Sequence, residues 1–535
     1  MQLSRRDMFK IGGLAAVTAA GLAIPLGNTV SGASASLLPA AKMPKPFKTE
    51  FARLEVLAPL RTEIDDEGKV AYYDITAKQG AVGIVPGMNT PVLGYDGLVP
   101  AKRIDVEQGT RIVMTMRNKL PESHPTFGTP MPISTHLHGS ASLPQYDGYA
   151  SDVTIPGQKK YYHYPNFQPA RTLWYHDHGV HYTAQNAYSG LASQYHLHDA
   201  QERALLPQGE FDVAITLSDM MFAANGSQLY DDRQHSGLWG DVVLVNGRPW
   251  PVMKVKKRIY RFRFLNASLS RSYRPVTSPA APMYMVGTDG GLAPKSQNIS
   301  QWRHGSAERY EILIDFSKFK TGQRIELQNL SNPNNRDFDN TNKIMAFDVV
   351  DDAFDKNDPT ALVVPTTLDA GNDVMKLAET AGMKVRNIRV QRDDTTNEWN
   401  LNGETWHDVV DSGFQKVLAN PNLGDTEVWE IENKSGGWFH PVHIHLIDFK
   451  VLSRNGKPPF AWELGPKDVV YVGEGEKVRL LMKFGPHRGK YMVHCHNLPH
   501  EDHDMMHQFS VGLNNGEVDQ NDPIYADPAS DDTDG

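Results

Sequence analysis

Short runs of alternating apolar and polar residues recur along this 535-residue chain, and no long stretch places apolar residues at helical spacing. Examples are Arg111-Ile112-Val113-Met114-Thr115-Met116, Arg258-Ile259-Tyr260-Arg261-Phe262-Arg263-Phe264 and Lys477-Val478-Arg479-Leu480-Leu481-Met482. Successive side chains of an extended chain point to opposite faces. A period of two therefore predicts strands that are half buried in sandwiches. Gly, Pro, Asn and Asp separate the runs, and 44 Gly with 35 Pro supply the turns that an all-β chain needs.

The length admits about three domains at roughly 100–200 residues each. They are placed at 42–200, 205–360 and 365–515, with the breaks near Pro207 and in the polar stretch from Asp351 to Pro365. Residues 516–535 are acidic and poor in apolar groups, and read as a solvated tail.

Residues 1–35 read as an address. Arg5-Arg6 precedes an apolar run from Ile11 to about Leu26, and Ala33-Ser34-Ala35 offers a small-residue cleavage site. The arginine pair marks the twin-arginine class, which predicts passage through the twin-arginine translocon to the periplasm or the exterior. The apolar run is short and mild beside the roughly 20 strongly apolar residues of a permanent span. No other stretch is long and apolar enough, so no membrane span is expected in the mature chain.

The charge and cysteine counts narrow the chemistry. A net charge of −9 offers no basic footprint for nucleic acid. The single cysteine, Cys495, rules out an intramolecular disulfide and a multi-cysteine zinc site. Histidine is the informative residue: there are 21, and ten fall in four clusters. These are His136-Leu137-His138, His176-Asp177-His178, His440-Pro441-Val442-His443-Ile444-His445, and His494-Cys495-His496 continued by His500. Residues 201–400 hold only His235 and His304. A single site therefore requires the first and third domains to meet, with the middle one as spacer.

On a strand, residues i and i+2 share a face, so each His-x-His presents two imidazoles together. His136, His138, His176, His178, His443, His445, His494 and His496 make eight, a donor set for copper, zinc, iron or nickel but not magnesium or calcium. Cys495 points to the opposite face from His494 and His496. There it can join His440 and His500, with Met505 nearby. Two imidazoles, a thiolate and a weak axial thioether define a blue-copper electron-transfer site. One tripeptide would then connect an electron-accepting copper to a multinuclear cluster. The other histidines, His235, His304, His503 and His507 among them, are read as structural or surface groups.

These clusters resemble the multicopper oxidase family. Trp174-Tyr175-His176-Asp177-His178, Val245-Asn246-Gly247-Arg248-Pro249-Trp250, Tyr260-Arg261-Phe262-Arg263-Phe264-Leu265 and the segment from His494 through Met506 look like its bilirubin oxidase and laccase-like branch. The resemblance implies three cupredoxin-like Greek-key β-sandwiches and four copper ions. By its pattern type 1 copper takes His440, Cys495, His500 and Met505. Type 2 copper takes His136 and His443. The type 3 pair takes His138, His176, His178, His445, His494 and His496.

The implied reaction couples one-electron oxidation of phenolic or tetrapyrrole-type reductants to four-electron reduction of O2 to water. Glu501 and Asp147 are the candidate proton donors, with orientation of imidazoles as their alternative role. Trp438 occupies the place of a tryptophan beside the blue copper. Two other readings stand beside this one: a metallo-oxidase of Cu(I), Fe(II) or Mn(II) in metal defence, and a copper carrier or scaffold on the same fold.

Overall fold

The structure, a computed structural model, describes residues 35–233, 235–368 and 371–513 and the backbone of 529–530. Nearly all of the expected export signal and most of the acidic tail lie outside the described residues.

Strands dominate, and among the described residues the longest α-helix is the seven-residue Thr183–Ser189. No described helix is long and apolar enough to cross a membrane. The alternating runs become strands, but not all are half buried. In Arg111–Lys119 the buried positions are Ile112, Met114, Met116 and Asn118, with half-buried residues between them. In Lys477–Lys483, Val478, Leu480, Leu481 and Met482 are buried. The strand Ile259–Asn266 departs from expectation, because both its faces are buried. Arg261 and Arg263 are 0% exposed and pair with Glu202, Asp212 and Glu311. These acidic partners replace water, the only way a buried guanidinium is tolerated.

Among the described residues, six sheets follow one another in three pairs along the chain. The first pair comprises a sheet built on Gly68–Val82, Arg111–Lys119 and Gln158–Tyr164 and a four-stranded sheet of Ile104–Glu107, Ala192–His198, Arg171–Asp177 and Thr135–His138. The second spans strands from Asp212–Met220 to Lys343–Val350. The third joins a five-stranded sheet to a four-stranded one of Val469–Val472, His440–Ile444, Gly489–Cys495 and Met506–Val511. Each pair encloses its own apolar cluster, centred on residues such as Ile112 and Leu173, Phe262 and Phe347, or Trp429 and Tyr491.

Strand pairing brings the histidine motifs together two by two. Thr135–His138 runs antiparallel to Arg171–Asp177 with His136 opposite His176. His440–Ile444 runs antiparallel to Gly489–Cys495 with His443 opposite His494.

Candidate metal centre

Each His-x-His keeps its two rings on one face, as the pleat requires. Ring centroids are 5.4 Å apart for His136 and His138, 5.9 Å for His176 and His178, 4.7 Å for His443 and His445, and 5.4 Å for His494 and His496. The first and third sheet pairs meet across these rings. His136 stacks on His445 at 3.9 Å and His138 on His443 at 3.6 Å. The eight imidazoles form one cluster, no ring more than 1% exposed.

The outer ring nitrogens show which way the lone pairs point. His136 Nδ1 lies 2.5 Å from the Asp147 carbonyl, His443 Nδ1 2.9 Å from that of Asp468, and His176 Nδ1 2.7 Å from that of Asp177. A carbonyl only accepts, so each Nδ1 carries the proton and each Nε2 turns a lone pair inward. His445 Nδ1 is held the same way by Asp147 Oδ2 at 2.7 Å. His138 is reversed: its Nε2 faces Asp468 Oδ1 at 3.1 Å, and Nδ1 turns inward.

Inside the cluster, His178 Nε2 and His445 Nε2 approach His494 Nε2 at 3.1 and 3.2 Å, and His136 Nε2 approaches His443 Nε2 at 3.4 Å. His138 Nδ1, His176 Nε2 and both nitrogens of His496 are buried without a hydrogen-bond partner. Burial lowers His176 to about 3 and His178 to about 4, which keeps those two rings neutral. Buried lone pairs facing one another are unfavourable unless a cation stands between them. The nitrogens form groups that fit one, among them His136, His138 and His443; His138, His176 and His496; and His178, His445 and His494.

On the far side of the same strand, Cys495 Sγ lies 3.3 Å from His440 Nδ1 and 3.8 Å from His500 Nδ1, with 3.3 Å between the two nitrogens. Met505 is fully buried in the same apolar cluster, and its backbone bonds both Cys495 and His500. Burial pushes the Cys495 thiol up, and the Asn497 N–H at 3.3 Å offsets this in part. A thiolate there needs a bound cation, and a soft sulfur with two imidazoles suits copper.

Residues 76–202 and 381–515 match the multicopper oxidase family profiles. The chain is 40% identical over 462 residues to a bilirubin oxidase of Albifimbria verrucaria, covering 83% of this chain and 77% of that protein. The chain belongs to the multicopper oxidase family. It is also 31% identical over 500 residues to a laccase of Bacillus subtilis, covering 82% and 94% of the two chains. The crystal structure of the McoA multicopper oxidase from Aquifex aeolicus superposes with a TM-score of 0.76 at 27% identity, covering 88% of this chain and all of that one. The fold is thus all-β and cupredoxin-like, and the histidine clusters fit the copper sites of such an oxidase.

The acids around this multicopper oxidase centre divide by what they touch. Glu501, on the helix Leu498–Asp502, brings its carboxylate to 2.8 Å from His494 Nδ1 and 3.4 Å from His178 Nδ1. Asp147 touches His445 with its carboxylate and His136 with its carbonyl, and burial pushes its carboxyl well above the usual range. Asp177 faces away from the rings and accepts from the Ser134 and Gly179 amides and from Asn186. Trp438 is half-buried, with its ring edge-on to His500 at 5.6 Å.

Sequence reasoning missed four features. Trp399 stacks on His500 at 3.8 Å. Asp468 holds both His138 and His443. Arg309 shows that the middle domain is more than a spacer. All five of its N–H groups are satisfied: Nε by the Thr172 carbonyl at 2.9 Å, Nη1 by Ala307 O and Asp468 Oδ1, and Nη2 by Asp289 O and Asp468 Oδ2. One guanidinium from the middle sheets thereby joins a first-domain strand to the carboxylate behind the imidazoles. Lastly, His235 and His503 are not separate surface groups, because their rings stack at 3.4 Å. A single Asp or Arg has no spacing signature, which is why these escaped the search for motifs. His196 and His198 form a further His-x-His pair, but Gln194, Glu202 and Arg263 engage them.

Proposed function

We propose that this multicopper oxidase takes single electrons from phenolic or tetrapyrrole-type reductants at the His440–Cys495–His500 site and uses them to reduce O2 to water at the eight-imidazole cluster. The observation that carries this is the tripeptide His494-Cys495-His496, with its thiol on one face of the strand and its two imidazoles on the other. Resemblance to a bilirubin oxidase and a laccase supports the substrate class.

In this reading His440, Cys495, His500 and Met505 hold type 1 copper, His136 and His443 hold type 2, and the remaining six imidazoles hold the type 3 pair. Copper, when bound, supplies one-electron storage at four ions, matching the electrons that one O2 accepts. The chain's own part is orientation and protons. Asp147, Asp468 and the backbone carbonyls fix each tautomer so that a lone pair faces inward. Glu501, between His178 and His494, relays protons to the oxygen end. Burial raises its carboxyl, but the two imidazoles outweigh this and bring it down to about 2, so it accepts and passes on a proton. Asp147, pushed up by burial, holds one beside it. Trp438 and Trp399 flank His500 and exclude water from the ring through which electrons enter. A carrier would have no use for so enclosed a cluster joined to a cysteine.

Export is part of the proposal. The Arg5-Arg6 motif supports passage through the twin-arginine translocon to the periplasm or exterior, and replacing both arginines by lysine is expected to retain the protein in the cytoplasm.

The direct test uses copper-loaded protein: copper content, visible spectrum, and O2 uptake with bilirubin and with a phenol. The expected result is four coppers per chain, an intense copper–thiolate band, and O2 uptake without peroxide release. Fully loaded, folded protein that consumes no O2 with either reductant would overturn the reading.

A further inference from the structure

Asp241 precedes the strand Val242–Val245 of the middle domain, and its carboxylate is 7% exposed. A buried carboxylate needs a counter-charge or a full set of hydrogen bonds. Among the described residues no lysine, arginine or histidine pairs with Asp241. Arg271, which reaches the neighbouring Gly240 carbonyl, spends its charge on Asp219 at 2.8 Å. One residue holds both oxygens of Asp241 instead. The Ser36 N–H donates to Oδ2 at 2.9 Å and the Ser36 hydroxyl to Oδ1 at 2.5 Å. The same hydroxyl oxygen accepts from the Phe222 N–H at 3.0 Å.

Ser36 opens a strap that runs along the middle domain. Leu37 N–H donates to the Phe222 carbonyl at 2.7 Å, Phe47 N–H to that of Trp250 at 2.9 Å, and Phe51 N–H to that of Val252 at 2.9 Å. Leu38, Met43, Phe47 and Phe51 pack against the apolar cluster of that domain. Ser36 is also the residue that follows Ala33-Ser34-Ala35. Alanines three and one residues before a bond are what the peptidase that removes export signals accepts. Its hydrolysis adds one water across the amide. The Ala35 carbonyl carbon takes the hydroxyl and leaves as a carboxylate on the released leader, and the Ser36 nitrogen becomes an α-ammonium. That nitrogen is the atom already placed against Asp241 Oδ2.

We infer that the Ala35–Ser36 bond is the processing site of this chain and that cutting it creates the missing counter-ion of Asp241. The peptidase acts on the opened strap, because Ser36 N is engaged in the closed one. Reclosure then puts a cation where a neutral N–H stood. Hydrogen bonds from an ionised donor to a carboxylate are roughly twice as strong as neutral ones, so the cut end is held more firmly than the uncut chain. A cut one residue earlier would carry the ammonium about 3.8 Å along the chain, away from the carboxylate. A cut one residue later would remove the Ser36 hydroxyl as well. The inference rests on the export reading above, because only an exported chain meets that peptidase.

The full chain is expressed with its own leader in a bacterium that has the twin-arginine route, and the exported protein is copper-loaded. Mass spectrometry of its first peptide is expected to place the N-terminus at Ser36. The α-amine is then acetylated with limiting acetic anhydride at pH 7, where only the unprotonated, unpaired amine reacts. The parent should label about tenfold more slowly than Asp241→Asn, the factor that about 1.4 kcal/mol of charge-assisted bonding confers. Ser36→Ala, which keeps the amine and loses the hydroxyl, should stay closer to the parent. The copper–thiolate band certifies folding. If Asp241→Asn loses that band, protein released one residue earlier, at Ala35, from a cleavable fusion partner takes its place and should label fast. Exported protein that begins at another residue, or equal labelling of parent and variant, overturns the inference and leaves export standing. An uncut chain kept in the cytoplasm overturns the export reading and the inference with it.

Discussion

Arg309→Met is the sharpest test of how the middle domain supports the metal centre. Arg309 is 0% exposed and Asp468 1%, and the two meet in a bidentate pair with N···O distances of 2.7 and 2.5 Å. The substitution preserves most of the stem's apolar bulk but leaves the Asp468 carboxylate buried beside His138 with no counter-charge. Asp289 keeps Lys467 at 2.9 Å, so only one carboxylate is orphaned. Removing one partner of such a pair costs about 3–5 kcal/mol, a large share of the roughly 5–15 kcal/mol that holds a typical protein folded. The assay is urea unfolding of copper-depleted protein, followed by tryptophan fluorescence and far-UV circular dichroism. Adding Asp468→Asn removes the orphaned charge, so the double variant should lose clearly less than the sum of the two single losses. Type 2 copper content should also fall in Arg309→Met, because Asp468 orients His138 and His443. A loss below about 1 kcal/mol, the range of an exposed ion pair, would refute the argument, as would strict additivity in the double variant.

Gly148→Ala should strike the type 2 site from behind. Gly148 has φ +76°, and a Cβ would stand 2.6 Å from His136 N, His136 Cα and the Thr135 carbonyl. Left-handed backbone costs about 1–2 kcal/mol and overpacking about 1–3 kcal/mol, so a stability loss of about 2–5 kcal/mol with type 2 copper depletion is expected by unfolding and metal analysis. Glu501→Gln should slow steady-state O2 uptake by about 10²–10⁴-fold, while stopped-flow bleaching of the copper–thiolate band by a reductant without O2 is unchanged. A proportional loss in both would mean that Glu501 only orients its imidazoles. His304, buried in the middle domain and lowered to about 3 by that burial, binds its proton later than the unfolded chain does at 6.5. Its contribution is complete above pH 6.5 and is lost as pH falls toward 3. His304→Gln in copper-depleted protein should therefore show a shallower fall in unfolding free energy over that window.

Much of this centre is written locally. The period-two pleat alone puts His136 beside His138 and His494 beside His496, and it sends Cys495 to the other face, so ligand chemistry and the link between the two sites follow from adjacent residues. Alternation likewise turned Asp177 away from the rings and marked strands such as Arg111–Lys119. The limits of that reading appear at Arg261 and Arg263. The pattern reads them as a solvated face, yet carboxylates from other strands and a helix cover them.

Which rings meet was decided only in three dimensions. His138 meets His176 and His496, and His178 meets His445 and His494. The partnerships between the first and third domains, such as His178 with His494, cross about 316 residues and depend on how two sheets pack, which no local periodicity encodes. The same holds for Asp468, Arg309 and the His235–His503 stack. Each is a lone side chain in its own segment, and its role comes from a neighbour in another sandwich. Pattern along the chain determined what each strand presents, because a strand's faces are set by its own geometry. Tertiary packing determined what meets across the domains, because that depends on the shapes of whole sheets.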